Sequence, residues 1–350
     1  MKRLGRVFCC SLVITLCGAS LTYGDARVVR RAAPATAACD DTPGRTQGRT
    51  PPGRGALRSA GEPGQPGEPP VRDRADLGRA QVRAMLDDFR RTLRARFGTD
   101  DERLLESRWR RRPIVIPVRF HVVTDGRNGR LSRARAKQQV ATLNAAYGGR
   151  WGGADTGIRF RLKSYEVTVK PGWFAEPHAH ERAIKHHLRG GGPGTLNLFT
   201  AAVGTDVLGF STFPQWYRGE PGNDGVVVDH RSVTNGSFQH FDRGYTVVHE
   251  VGHWIGLFHT FENGCEVPGD DVGDTPYEAW PAQGCPRRKD TCPEPGSDPV
   301  RNFMNYGWDD CMREFTAGQG RRLRTLWAAY REPRRTGSAR GGARFVGESR

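Results

Sequence analysis

The spacing of apolar residues changes several times along this chain, and each spacing predicts a structural element. Apolar residues recur at helical spacing over residues 75–97, and Gly98 ends that pattern. A β-rich run over 114–124 predicts a strand, and residues 132–147 have the pattern of a helix. Apolar and polar residues alternate over 157–169, which predicts a second strand. Helices and strands therefore mix in this part of the chain.

Two further apolar runs, at 195–203 and 225–229, predict two more strands. The segment between them, 208–214, is extended and ends at a proline, as edge strands often do. After residue 260 the sequence is irregular and rich in glycine, proline and cysteine until a last helical pattern at 316–330. We therefore expect a mixed core followed by a region with few regular elements.

The first 24 residues have the three parts of a secretory signal peptide. Basic residues precede an apolar run at 7–19, which is too short to span a bilayer comfortably, and small residues follow it. A lipoprotein anchor at Cys17 is the alternative, although Leu16 stands where a small residue is normally required. No other segment of the sequence approaches the length of a membrane span, so we expect a secreted, extracellular protein.

Residues 25–112 have the character of a propeptide. Most of this segment is rich in Pro, Gly, Arg and Ala and predicts little structure, apart from an amphipathic helix near 75–97. A basic cluster before Pro113 suits a proteolytic activation site, with a charged linker as the equal alternative. We place the main folded domain at 113–331 and a basic disordered tail at 332–350. The cluster consists of Arg108, Arg110, Arg111 and Arg112.

The positive charge of the chain, formally +16, is confined to its two ends. Residues 1–112 carry 23 Lys and Arg against 13 Asp and Glu, and residues 321–350 carry 9 against 2. Residues 113–320 carry 22 against 23, so the predicted main domain is near neutral. Nucleic acid therefore loses its support as a partner. The basic ends are typical of disorder and solubility, and attachment to an anionic surface is the alternative.

The most specific motif is the run YTVVHEVGHWIGLFH, which ends at His259. His249 and His253 are four residues apart, so a helix would place both imidazoles on one face. Both rings could then reach one Zn²⁺ at about 2.0–2.1 Å. Zinc lowers the pKa of a bound water toward about 7, and Glu250 would project toward that water. Glu250 is therefore predicted to be the general base of peptide hydrolysis.

A third metal ligand is needed, and His259 is predicted to supply it. Gly256 lies three residues after His253 and can adopt positive φ, which would turn the chain and bring His259 back to the metal. Three neutral nitrogens leave the fourth position open, as a catalytic zinc site requires. The alternative is a structural histidine cluster without metal. Four other histidines lack partner spacing and are expected to be solvated: His178, His180, His186 and His187.

The cysteines also fit an exported protein. Four of the eight lie close together near the C-terminal end, which predicts two disulfides in an oxidising compartment. Spacing alone leaves three pairings open. Cys39 stands alone in the N-terminal region. The clustered residues are Cys265, Cys285, Cys292 and Cys311.

Together these motifs resemble the metzincins, and within them the pappalysin (cytophagalysin) family. The resemblance covers roughly residues 113–330 and includes, besides the zinc motif, the segments IPVRFHVV, GFSTFP and DGVVVD. It continues with GDDVGDTP at 269–276, NFMNY at 302–306 and the clustered cysteines. It implies that the domain at 113–331 is a metalloprotease catalytic domain with an α/β (α+β) metzincin-like zincin fold. An upper subdomain would hold a twisted mixed sheet and the active-site helix, above an irregular, disulfide-linked lower subdomain.

The resemblance also implies roles for single residues. Met304 would form the Met-turn beneath the zinc ligands, although an ordinary core methionine is the alternative. Tyr306 would lie near the metal and steady the tetrahedral intermediate. Cys39 would act as a cysteine switch, a thiolate on the zinc that keeps a zymogen silent.

Two further features are implied by the same resemblance. The disulfides would join Cys265 to Cys292 and Cys285 to Cys311, which would fix loops that have little core. A short acidic segment would bind Ca²⁺ through hard oxygen ligands, with a plain acidic loop as the alternative. The calcium ligands would be Asp270, Asp271, Asp274 and Thr275.

The predicted function is a secreted, monomeric zinc-dependent endopeptidase, made as a zymogen, with protein or peptide substrates. The substrate would lie extended across the cleft and pair with the backbone near 209–213. One alternative is an exported zinc-binding protein without catalysis, against which Glu250 argues. The other is a protein that binds anionic surfaces through its basic ends, which salt-sensitive binding without hydrolysis would favour.

Overall fold

The computed structural model of the protein describes residues 72–73, 75, 77–109 and 113–333. All of these residues belong to one compact unit over residues 60–350. The predicted signal peptide, Cys39, three arginines of the basic cluster and nearly all of the C-terminal tail lie outside the described residues.

The described residues form six strands and seven α-helices. The strands are β1 (Arg72–Asp73), β2 (Ile114–Thr124), β3 (Ile158–Val169), β4 (Leu196–Ala201), β5 (Val207–Ser211) and β6 (Val226–Asp229). The α-helices are α1 (Arg79–Phe97), α2 (Glu102–Trp109), α3 (Arg133–Tyr147), α4 (Pro171–Ala175), α5 (Glu181–Leu188), α6 (Tyr245–Ile255) and α7 (Ala317–Leu326). Every strand and helix predicted before residue 260 is present, whereas β1, α2, α4 and α5 were not predicted.

The strands form one sheet in the order β1-β5-β6-β4-β2-β3. β5 runs antiparallel to β6, and the other pairings are parallel. Every residue of β4 and of β6 is buried, because strands of a parallel sheet are covered on both faces. The mixed sheet confirms the predicted fold class.

The prediction that residues 208–214 form an edge strand was wrong. β1 pairs in parallel with the outer edge of β5 and places Asp73 opposite Gly209. β5 also ends earlier than predicted, at Ser211, and a 3₁₀ turn follows at Pro214–Arg218. The prediction missed β1 because two residues in a segment without apolar periodicity give no strand signal.

The main hydrophobic core lies between the sheet and two helices. α3 packs on β3, α6 packs on β5 and β6, and the two helices contact each other. Fully buried side chains fill this space, among them Phe120, Leu143, Ile158 and Val251. Each such side chain contributes about 1.5–3 kcal/mol relative to an exposed one. The packing of α6 fixes the helix that carries the histidine motif.

Two disulfides cross-link the region after Gly256, where regular elements are few. They join Cys265 to Cys292 and Cys285 to Cys311, and thereby confirm the pairing that the family resemblance implied. Cross-links of this kind stabilise loops mainly by restricting the unfolded chain.

The last helix, predicted at 316–330, is confirmed as α7 followed by a π-helical segment at Trp327–Arg331. A capping box between Thr316 and Gln319 begins it. At its end the buried guanidinium of Arg331 donates to the carbonyl of Trp254 at 2.7 Å and to Asp224 at 2.8 Å. The C-terminal helix is thus tied to α6. Among the described residues, no helix is both long and apolar enough to cross a membrane.

Candidate active site

Helix α6 carries the histidine motif through the interior of the protein. All of its residues except Thr246 are buried. Glycines with positive φ flank it, at 80° for Gly244 and 126° for Gly256, a backbone region that residues with a Cβ rarely adopt. A Cβ on Gly256 would also lie 2.9 Å from the Leu326 side chain. Gly256 therefore ends the helix and turns the chain, as predicted.

The turn brings His259 back to the two histidines of the helix. Nε2 of His253 lies 3.1 Å from Nε2 of His249 and 3.1 Å from Nε2 of His259. All three rings are buried, and their ligand atoms lie within 4.8 Å of one another. Two nitrogens bound tetrahedrally to zinc at about 2.0–2.1 Å would stand about 3.3 Å apart. The donor set therefore fits one zinc ion.

Two of these rings are oriented through their second nitrogen. Nδ1 of His249 lies 2.7 Å from the carbonyl oxygen of Phe303, and Nδ1 of His253 lies 2.7 Å from that of Leu257. Because a carbonyl oxygen only accepts, each Nδ1 carries the hydrogen. Each Nε2 is then left with a lone pair for a metal.

His259 makes its remaining contacts with the irregular region. Its Nδ1 faces the Glu262 carboxylate at 3.9 Å. Its Nε2 lies 3.1 Å from the hydroxyl of Tyr306, and its ring stacks on Phe261 with the centroids 4.6 Å apart. The hydroxyl of Tyr306 thus lies beside a predicted metal ligand. Glu262 had no signal in the sequence, because any acidic residue three positions after a histidine would look the same.

Glu250 is buried and lies directly against strand β5. A Cβ on Gly209 would stand 2.8 Å from Oε1 of Glu250, so only glycine leaves room for the carboxylate here. Both residues line one cleft together with His249 and Tyr306. The predicted base, a metal ligand and a phenolic hydroxyl therefore face the same space.

Met304 lies directly beneath α6. It is fully buried, and its Sδ occupies the position that a Cβ on Gly252 would need. Its backbone N donates to Asn302 Oδ1 at 2.9 Å, and its carbonyl accepts from the backbone N of Thr260 at 3.2 Å. Met304 therefore lies beneath the helix that carries the histidine motif, and its role as the Met-turn stays a prediction.

Three of the four residues predicted to bind calcium already have protein partners. Asp270 Oδ1 accepts from the backbone N of Val272 at 3.0 Å. Asp271 pairs with Arg322 at 2.9 Å. Asp274 accepts from the Thr316 hydroxyl at 2.8 Å and from the backbone N of Gly318 at 2.7 Å. Asp274 thereby satisfies a backbone donor in the first turn of α7.

Asp270 and Thr275 differ from Asp271 and Asp274 because each has a buried side-chain oxygen without a normal hydrogen bond among the described residues. The side chains lie beside each other in the interior, and burial raises the pKa of Asp270 well above its usual range. Within the described part of the chain, neither Asp270 Oδ2 nor Thr275 Oγ1 has a hydrogen bond of normal geometry. Buried oxygens in this state are the kind that a hard cation satisfies.

A pocket continues from Glu250 along the start of α6, and Asp309 lines it. Asp309 is 1% exposed, and its Oδ2 accepts from the backbone N of Arg243 at 2.8 Å. Its Oδ1 has no hydrogen-bond partner among the described residues, and burial raises its pKa to about 7. Sequence reasoning missed Asp309, because nothing local distinguishes it from its exposed neighbour Asp310.

The four histidines that were expected to be solvated do not gather into a metal site. None of them joins a group of three potential metal ligands in the part of the chain that the structure describes. Two contact aromatic rings instead, His178 with Phe210 and His187 with Trp173.

Comparisons with known proteins agree with this geometry. The family model Peptidase_M43, described as pregnancy-associated plasma protein-A, matches residues 201–328. Extracellular metalloprotease 1 of Coccidioides posadasii is 39% identical over 227 residues, which cover 63% of this chain and 79% of that protein. An extracellular metalloprotease of Arthroderma benhamiae is 38% identical over 227 residues, with 62% and 74% covered.

The fold is also similar to solved structures of a metalloprotease, mirolysin. Mature mirolysin of Tannerella forsythia, in complex with a cleaved peptide, matches with a TM-score of 0.54 and 27% identity. The match covers 61% of this chain and 92% of that one. A promirolysin mutant matches with a TM-score of 0.54 and 27% identity, over 62% of this chain and 81% of that one.

The fold and the histidine triad define an extracellular metalloendopeptidase of the metzincin type, for which zinc is the implied cofactor. The chain belongs to the pregnancy-associated plasma protein-A, or pappalysin, family of metalloproteases.

Proposed function

We propose that this enzyme hydrolyses internal peptide bonds with Glu250 as general base and Tyr306 as stabiliser of the intermediate. The observation that carries the proposal is the convergence of three imidazole Nε2 atoms beside a buried carboxylate in an open cleft. Zinc, held by His249, His253 and His259, would polarise the scissile carbonyl and acidify a water.

The residues of the chain would then manage the protons and the charge. Glu250 would accept a proton from the attacking water and deliver it to the leaving amine. The phenolic hydroxyl of Tyr306 would donate to the oxyanion of the tetrahedral intermediate. Collapse of that intermediate breaks the C–N bond and leaves a carboxylate and an amine. The Nδ1 contacts of His249 and His253 would hold both rings still through these steps.

The substrate would bind as an extended strand along the outer edge of β5. Gly209 lies against Glu250, so a peptide hydrogen-bonded to this edge would pass the base. Pairing through the backbone tolerates many sequences, which favours cleavage in unfolded segments and loops. The enzyme would act on protein or peptide substrates as a monomer.

The pocket beside Glu250 would select a basic side chain next to the scissile bond. Asp309 places a buried carboxylate there, with one oxygen free of hydrogen bonds from the described residues. A guanidinium or ammonium group entering the pocket would satisfy that oxygen and favour the charged carboxylate. The walls of this pocket are largely apolar, and they would accommodate the aliphatic stem of such a side chain.

We infer that the enzyme is made as a zymogen, because its own chain covers the substrate edge. β1 pairs with β5 and places Asp73 opposite Gly209, beside Glu250. A peptide substrate would need the backbone groups that β1 already occupies. The cysteine switch at Cys39 stays a prediction, because Cys39 lies outside the described residues.

Calcium binding is proposed for a smaller set of residues than the sequence suggested. Asp270 and Thr275 carry the buried oxygens without normal hydrogen bonds. Asp271 and Asp274 are not proposed as direct ligands, because the carboxylate of Asp271 pairs with Arg322 and both carboxylate oxygens of Asp274 accept hydrogen bonds. A cation at Asp270 would stabilise the loop around residues 270–275.

The direct test is to incubate the processed enzyme with a peptide library and identify the products by mass spectrometry. Cleavage within peptides, abolished by a zinc chelator and restored by Zn²⁺, is the expected result. Trimming from peptide ends, or cleavage that survives full metal removal, would contradict the proposal.

A further inference from the structure

The helices before residue 113 are packed as deeply as those that follow it. Phe89 and Leu93 of α1 and Leu105 of α2 are buried in the main hydrophobic core. The core residues around them come from the predicted catalytic domain. The predicted boundary at residue 112 therefore does not coincide with a boundary in the packing.

Polar contacts tie the same two helices to the C-terminal helix. Arg322 of α7, 11% exposed, pairs with Glu102 of α2 at 2.7 Å. Arg96 of α1 donates to the carbonyl of Ala329 at 2.6 Å. The hydroxyl of Tyr330 donates to Asp88 of α1 at 2.7 Å. Loss of α1 and α2 would leave Arg322 without one of its two carboxylate partners.

The first half of α1 also supports the wall behind the zinc site. Its apolar residues form a cluster with Phe213 and Phe258. The ring of Phe213 lies 5.4 Å from the ring of His253, centroid to centroid. Helix α1 is thus one side chain away from a predicted zinc ligand. Its contributing residues are Val82, Met85 and Leu86.

β1 has the opposite character, because it only covers the cleft. It consists of two residues on the outer edge of β5. Five residues, 74–78, connect it to α1. As long as that connection is intact, β1 stays at a high effective concentration beside the edge of β5. A cut at the arginine cluster of 108–112 would leave β1 attached to α1, and the cleft would stay covered.

We propose that maturation hydrolyses this chain at Arg74 or Arg79, between β1 and α1, and that α1 and α2 remain in the active enzyme. This inference rests on the proposed latency. Gly78, Arg79 and the next two residues are exposed, which gives a protease access at the start of α1. Among the described residues, Arg79 pairs with the exposed Glu266 alone, so its replacement is compatible with folding. Water adds across the peptide bond and leaves a new α-amino group on the retained chain.

Three full-length proteins test the proposal: the wild type, Arg74→Ala with Arg79→Ala, and Arg110→Ala with Arg111→Ala and Arg112→Ala. The N-terminus of the secreted product is read by mass spectrometry, and hydrolysis is followed with a quenched fluorescent peptide. We expect the wild type and the triple variant to begin between residues 74 and 80 and to be equally active. The double variant should retain β1 and be at least about 10-fold less active.

An active product that begins at 109–113, without α1 and α2, would overturn the proposal. So would an active product that begins before Arg72, or a triple variant that stays latent while the double variant matures. The N-terminus is measured independently of hydrolysis. A product that begins at 74–80 but cleaves no peptide would therefore contradict the proposed function and leave the processing site standing. Circular dichroism of each variant verifies that it is folded.

Discussion

The two halves of the active site are held in place by different physical means. Residues 113–256 form a sheet and helices around a hydrophobic core, and they supply His249, His253 and Glu250. Residues 257–333 contain one long helix, two disulfides and several buried polar contacts, and they supply His259 and Tyr306. The comparison shows that catalytic geometry can depend equally on apolar packing and on cross-linked loops.

The irregular region has few apolar core residues and is held together in part by buried hydrogen bonds and an ion pair. Glu278 is fully buried and accepts from Lys289, from Thr260 at 2.8 Å and from Asn305 at 2.8 Å. Asn305 stands between Met304 and Tyr306, so this network holds both residues in place. Removing one partner of a buried ionic network costs more than removing an exposed pair.

The largest expected effect comes from the base in the packed half. Glu250→Gln keeps the shape of the side chain but cannot accept the proton of the attacking water. We expect kcat/KM to fall about 10³-fold with zinc content unchanged, within the range for general-base catalysis. Glu166→Gln on the exposed side of β3 is the matched control and should retain activity. A Glu250→Gln enzyme with more than a tenth of wild-type activity would assign the base elsewhere.

The free energy of unfolding should depend on the disulfides in the irregular half and on apolar packing in the other half. Cys285→Ser with Cys311→Ser should lower the free energy of unfolding by about 2–5 kcal/mol, measured by denaturant titration. Ile116→Ala in the sheet should cost a comparable amount, about 2–5 kcal/mol, by opening a cavity. Reductant should then lower the stability of the Ile116→Ala protein further. If reductant leaves it unchanged, the disulfides do not hold the irregular half.

Tyr306→Phe tests the hydroxyl that the irregular half contributes. Loss of one hydrogen bond to the intermediate should lower kcat about 10²-fold and change KM little. Tyr165→Phe is the control, because the Tyr165 hydroxyl donates to the Leu131 carbonyl, away from the cleft. A Tyr306→Phe enzyme that changes only in KM would place the hydroxyl in substrate binding.

Asp309→Asn sharpens the comparison at the pocket where the two halves meet. We expect kcat/KM for cleavage next to basic residues to fall at least about 10-fold relative to cleavage next to apolar residues, because the amide has no charge to pair with a basic side chain. A tenfold change corresponds to about 1.4 kcal/mol. Since the pKa of Asp309 is raised to about 7, its carboxyl is neutral below that pH and charged above it. The basic preference of the wild type should therefore weaken as the pH falls below about 7.

Two comparisons check the Asp309 prediction. Asp310→Asn, at the exposed neighbouring position, should keep both the preference and its pH dependence. A product profile that stays the same in Asp309→Asn at every pH would remove Asp309 from substrate selection.

Sequence reasoning succeeded where the determinants were local or periodic. The spacing of His249 and His253, the positive φ of Gly256 and the alternation in β3 each follow from a few neighbouring residues. The disulfide pairing was not determined by spacing and came from the family resemblance. The convergence of the three histidines was therefore predictable from neighbouring residues.

The missed features depend on residues far apart in the chain. β1 has no apolar pattern, and its place on β5 depends on partners more than 130 positions later. Asp309 and Glu262 became recognisable only when the fold brought them to the pocket and to His259. The contact of Asp271 with Arg322, 51 positions away, likewise has no local signal. Non-local pairing of this kind leaves no local signal.

The central claim is that His249 and His253 of one half and His259 of the other bind one zinc ion. Zinc K-edge absorption spectroscopy of the processed enzyme tests this claim most directly. The account predicts three nitrogen ligands at about 2.0–2.1 Å with an oxygen ligand, and one fewer nitrogen in His259→Ala. A processed, active enzyme without zinc, or with an unchanged ligand shell in His259→Ala, would contradict it.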